Sequence, residues 1–219
     1  MSILSETWHL LRKEVVLELR NRYALGGILL YVVSTIFIVY IAFIRIEPPV
    51  WNVLFWIIVL FSSVNAIVKS FVQESGHRQL YYYQLAHPVA FLLSKILYNA
   101  LLLLVLSGLC FAAFSFVAGN PVQNGAQFAL AVFLGSLGFS VTFTFVSSIA
   151  AKASQSSTLM AILSFPVVIP ILLVLVKISA QAIGMIPGRQ APEEVWILLA
   201  IDALLVGLGM VLFPYLWRD

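Results

Sequence analysis

Few side chains in this 219-residue chain are placed to do chemistry. The most pointed is Asp202, an acid within the apolar run Ile197–Val206. A carboxylate at membrane depth is expensive and is a functional candidate by default. Lys177 is a possible partner; otherwise Asp202 lies shallow, near one interface, and bonds water or a neighbouring helix. Ser140 and Thr144 are the second candidates. They belong to a row, Ser136, Ser140, Thr144 and Ser148, spaced every four residues on one helix face. Such a face either packs closely on another helix or lines a path. Gly138-Phe139-Ser140 is a faint fragment of an intramembrane serine protease, but a nucleophilic serine needs a base. The three histidines, His9, His77 and His87, all fall outside the apolar runs.

Other chemistries are missing from the sequence. No G-x-x-x-x-G-K-[ST] run occurs, so the chain holds no P-loop for ATP. It has no H-E-x-x-H step, and its single cysteine, Cys110, can form neither a zinc pair nor an internal disulfide. The residues point to a chain without catalytic groups or a bound cofactor of its own.

The elements that must position these residues follow from composition. The chain is 62% hydrophobic and 10% charged, with mean hydropathy +1.05. A soluble domain could not cover itself with so few charges. The expected class is an all-α integral membrane protein forming one domain over residues 1–219. Residues 2–22 carry Leu4, Trp8, Leu11, Val15 and Leu19 on one stripe and charges elsewhere, as in an amphipathic helix lying in the membrane interface. The first apolar run follows that charged segment and is long enough to span, unlike a signal peptide. Six spans are predicted, at about 24–44, 50–68, 96–118, 126–151, 158–176 and 195–216. Trp51 and Trp56 are expected near one interface. Gly119-Asn120-Pro121 ends the third span. Pro166 and Pro170, four residues apart, predict a bent or loosened fifth span. Residues 177–194 read as an outer loop.

Basic residues set the orientation. Arg12, Lys13, Arg20, Arg22, Lys69, Arg78, Lys95, Lys152 and Arg218 fall on the N-terminal side, against Arg45, Lys177 and Arg189 opposite. Both termini are therefore expected in the cytoplasm, together with the polar stretch 69–95. The net charge of +3 is spread along these flanks and implies no nucleic-acid partner. Within 69–95, Leu80, Tyr81 and Leu85 could fill a groove on a partner, because tyrosine gives contact area at low entropy cost. Tyr82 and Tyr83 continue that surface; the alternative is an interfacial aromatic belt.

Phe71, Glu74, Gly76, Leu80, Leu85, Pro88 and Lys95 follow a pattern that resembles ABC-2-type permeases. Leu60-Phe61-Ser62-Ser63 and Phe165-Pro166-Val167-Val168-Ile169-Pro170-Ile171-Leu172 narrow the resemblance to CcmB, the haem exporter B family of the cytochrome c maturation system. The resemblance covers essentially the whole chain, with two departures: an N-terminal helix that is acidic as well as basic, and Tyr81-Tyr82-Tyr83 in place of an aliphatic run.

The resemblance implies a permease subunit in the cell inner (cytoplasmic) membrane, with ATP bound by a separate CcmA-like ATPase pressing on the 69–95 coupling helix. It implies CcmC-like, CcmD-like and CcmE-like partners, the last a haem chaperone, and a homodimer or heteromer. Hydrolysis would drive haem delivery or release of the haem-loaded chaperone. Haem itself enters as a possible pathway ligand, although no histidine lies in the outer half. Rival readings are an exporter of lipid, glycan or drug, and a non-transport assembly scaffold.

Overall fold

The computed structural model describes residues 3–20, 22–43, 45–72, 87–150, 156–185 and 192–218. Among them are seven helices and no strand. They are α1 (Ile3–Arg20), α2 (Arg22–Ala42), α3 (Pro48–Val72), α4 (Pro88–Ala118), α5 (Gly125–Ala150), α6 (Ser156–Ala182) and α7 (Pro192–Arg218).

Five of these are long and apolar enough to cross a membrane, namely α3 to α7. Among the described residues α2 contributes a shorter apolar helix, Gly26–Ala42, within Arg22–Ala42.

Helix α5 is the centre of the bundle. It packs on α3, α4, α6 and α7. Its glycines let neighbours in: a Cβ on Gly135 would lie 2.8 Å from the Trp56 ring and 2.9 Å from Leu175. Trp51 and Trp56 are accordingly buried among helices rather than held at an interface. Trp51 stacks on Phe114 at 5.2 Å, and Phe55, Phe111 and Phe128 complete the cluster. Outward-facing apolar residues such as Leu30, Ile38, Phe116 and Trp196 leave a surface suited to lipid.

The helix directions alternate. Gly138 faces Asp202 and Gly209 faces Phe145, the same register twice, so α5 and α7 run parallel. Gln127 meets Gln181, while Gly135 meets Leu175 and Gly138 meets Ile171, so α6 runs the other way. Phe91 stacks on Phe213, putting the start of α4 beside the end of α7.

Several boundaries differ from the sequence expectation. Helix α3 opens at Pro48, because proline is pre-shaped for a first turn. Helix α4 opens at Pro88 for the same reason, eight residues before the predicted span. Helix α6 continues to Ala182, beyond the predicted end at 176. It closes there in a Schellman turn. Gly184 adopts φ +77, its N–H donates to Gln181 O at 3.1 Å, and the Met185 N–H donates to Ala180 O at 3.0 Å. Helix α4 ends at Ala118, as the Gly119-Asn120-Pro121 turn predicts.

Candidate functional site

The residues of the predicted coupling stretch divide three ways. Glu74, Gly76, Leu80, Tyr81 and Leu85 lie outside the described residues, as do Tyr82 and Tyr83. Phe71 falls in the last turn of α3. Pro88 and Lys95 belong to α4, and the structure ties that end of α4 to α1.

The tie has two points. Glu6 Oε1 accepts a hydrogen bond from the His87 N–H at 2.7 Å. His87 is extended and offers α4 no side-chain cap, so a carboxylate at a helix N-terminus is doubly suited there. Eight residues further along both helices, Lys95 Nζ donates to Glu14 Oε2 at 3.0 Å. Two contacts in one register make α1 and α4 parallel neighbours over this length.

The second tie is buried. The Lys95 side chain is 1% exposed and that of Glu14 is 8%. Burial alone would push the Glu14 carboxyl up; the Lys95 ammonium and then Lys13, at 2.8 Å, outweigh it and hold the carboxyl below its ordinary value of 4.5. Lys95 also lies 5.8 Å from the Phe91 ring centroid.

Packing on α4 changes how α1 presents itself. Its buried positions are Thr7 and Glu14, while Leu4 and Trp8 of the predicted stripe stay exposed. The apolar stripe thus splits: Leu11 and Val15 are partly covered, and Leu4 and Trp8 face outward.

The hydroxyl row on α5 is closed against α4 at its middle. Ser140 Oγ donates to Ile96 O at 2.6 Å, and Asn99 Nδ2 donates to Thr144 Oγ1 at 2.8 Å. Ser136 and Ser148 bond carbonyls of their own helix. This row packs helices together.

A second polar cluster, between α3 and α6, was not singled out from sequence. Ser179 Oγ accepts from Trp56 Nε1 at 2.8 Å and lies 2.7 Å from Asn52 Oδ1, and Asn52 Nδ2 donates to Val176 O at 2.9 Å. Gly184 is the signal that could have found it. Reading Gly184 as the residue just past the helix end extends α6 over Ser179.

Asp202 lies well inside α7, not near an end, and is 4% exposed. Lys177 is exposed, and no hydrogen bond from any described residue reaches the Asp202 carboxylate. Pro166 and Pro170 are exposed within α6, which stays helical through both.

The two stretches that carry the narrower resemblance touch. Phe61 of α3 and Phe165 of α6 place their ring centroids 6.3 Å apart. Ser62 and Ser63 beside Phe61 are fully buried. The family model described as CcmB protein matches residues 5–215. The chain belongs to the CcmB family. CcmB proteins are the permease component of the cytochrome c maturation ABC transporter. The chain is accordingly a non-catalytic, multi-pass membrane subunit, of a family that works with a CcmA ATPase. A search of curated proteins finds no match. In this CcmB chain the matched region covers α1 from residue 5 onward, so the Glu6 and Glu14 ties fall inside it.

Proposed function

We propose that this CcmB chain receives the work of a partner ATPase through residues 69–95 and passes it into the bundle through α1 and the start of α4. The observation that carries this reading is the Glu14–Lys95 pair, seated eight residues along from the Glu6–His87 tie. The α4 partners of both ties, His87 and Lys95, belong to the last part of that stretch. A push on that stretch acts on the first turn of α4. The buried pair then obliges α1 to move with it, because separating two opposite charges in a poorly solvated place is costly.

In this reading α2 is the sixth crossing, both termini face the cytoplasm, and the membrane is the inner one. ATP binds to the CcmA-like partner. The output is haem delivery or release of the haem-loaded CcmE-like chaperone, with CcmC-like and CcmD-like subunits in the assembly and a homodimer or heteromer of permeases. Phe71, Glu74, Gly76, Leu80, Tyr81 and Leu85 make the ATPase contact, and Pro88 fixes where α4 begins. Pro166 and Pro170 are the positions where α6 bends. Closure of the Ser140–Thr144 row against α4 disfavours an exporter path along it.

Co-purification tests the contact. Glu74→Ala and Gly76→Pro are each expected to lower recovery of the ATPase and ATP-dependent release of the chaperone. Undiminished recovery and release in both would overturn the assignment of this stretch.

A further inference from the structure

Asp202 lies about 14 Å along α7 from Glu193, near the middle of the apolar stretch Glu193–Pro214. Its carboxyl is buried, with Gly138 of α5 against it and Ile171 of α6 beside that glycine. A Cβ on Gly138 would lie 2.6 Å from Asp202 Oδ1 and 3.4 Å from Ile171 Cγ2. Neither carboxyl oxygen has a hydrogen-bond partner among the described residues. Thr142, one turn further on the same α5 face, is fully buried, and its hydroxyl also lacks a partner.

Among the described side chains no charge is placed to balance this acid. Helices α4, α5 and α6 pack against α7. Helix α5 carries no acidic, basic or histidine residue. Helix α6 offers Lys177, which is exposed. On α4, Lys95 is taken by Glu14, and the other titratable groups are Tyr98 and Cys110, which cannot supply a positive charge. Glu193 and Glu194, at the start of α7, are acids themselves.

A bare carboxylate so placed is strongly penalised by the loss of its hydration. A cation or a proton can remove that cost. A metal cation of the hard type asks for a shell of about six oxygens. Here Oδ1 already lies against Gly138, where even a methyl group would not fit. A proton needs no shell and no room. We infer that Asp202 is a proton-binding site, closed between α5, α6 and α7 and occupied at neutral pH. In that state α7 carries a neutral acid through the apolar core. Parting α5 from α7 would admit water and let the proton leave.

The sequence offers a clean test, because Asp202 and Asp219 are the only two aspartates. The full chain, labelled with carbon-13 at aspartate carboxyls and reconstituted in lipid, is read by infrared spectroscopy at neutral pH. The expected result is one protonated aspartate carbonyl band that shifts in heavy water and is lost in Asp202→Asn. Asp202→Asn keeps the shape of the neutral acid and is expected to fold and to co-purify with its ATPase as wild type does. Asp202→Glu, made in parallel, is expected to move the band out of the labelled set. Two ionised aspartates in the wild type would overturn the proposal, as would a protonated band that survives Asp202→Asn.

Discussion

Glu14 is the residue whose removal separates a structural tie from a surface ornament. Glu14→Ala takes a buried carboxylate partner away from the Lys95 ammonium, and breaking such a pair costs about 3–5 kcal/mol. Thermal unfolding of the chain in lipid is expected to show that loss, with Leu4 or Trp8 changes near neutral by comparison. The pair also predicts a pH dependence with a definite sign. The Glu14 carboxyl is held below 4.5 in the folded chain. Its contribution is therefore complete above that value and is lost as pH falls through the lowered one. The stability gap between wild type and Glu14→Gln should stay level above that point and close below it. Little of this was legible in the sequence. Glu14 and Lys95 are 81 residues apart, and each reads as an ordinary membrane-flank charge. Lys95 was marked by the family pattern, but only the packed helices give it a partner.

At the scale of elements, the spans were legible and their ends were not. Apolar length announces a crossing, whereas ends depend on caps and on polar residues that a neighbour satisfies. Lys177, Ser179 and Gln181 look too polar to continue α6, yet Ser179 is the centre of the α3–α6 network and Gln181 meets Gln127. Ser179→Ala would strand the Trp56 N–H, at a cost of about 1–3 kcal/mol. Its mark is a fall in unfolding temperature that Ser148→Ala, whose hydroxyl bonds only its own helix, does not share. Gly135→Ala acts on the same interface by overpacking. Its Cβ would press on the Trp56 ring at 2.8 Å, and overpacking of this kind typically costs about 1–3 kcal/mol. The tryptophans misled the sequence reading because an aromatic near a span end suits either a lipid interface or a helix interface. Gly135, set against the Trp56 ring, decides for the second.

For the whole molecule, alternation of helix directions joins the described ends into two faces. One holds α1, the end of α3, the start of α4 and the end of α7. Arg12, Lys13, Arg20 and Lys95 of the basic majority belong to elements of that face, which we propose is cytoplasmic. In a Cys110→Ser background, His9→Cys should react with a membrane-impermeant maleimide only from the cytoplasmic side, and Asn120→Cys only from the other. Class, approximate spans and family were all legible because they rest on composition and local motifs. The link between α1 and α4 was not, because it is made by tertiary packing alone.

The central claim is that α1 and the start of α4 transmit ATPase work as one body. Glu14→Gln combined with Lys95→Met removes both charges of the pair together, so the fold and ATPase recovery should survive. The deciding measurement is ATP hydrolysis alongside release of the haem-loaded chaperone in membranes carrying this double variant. The account predicts continued hydrolysis with release reduced to background. Release at the wild-type rate, with hydrolysis unchanged, would contradict it.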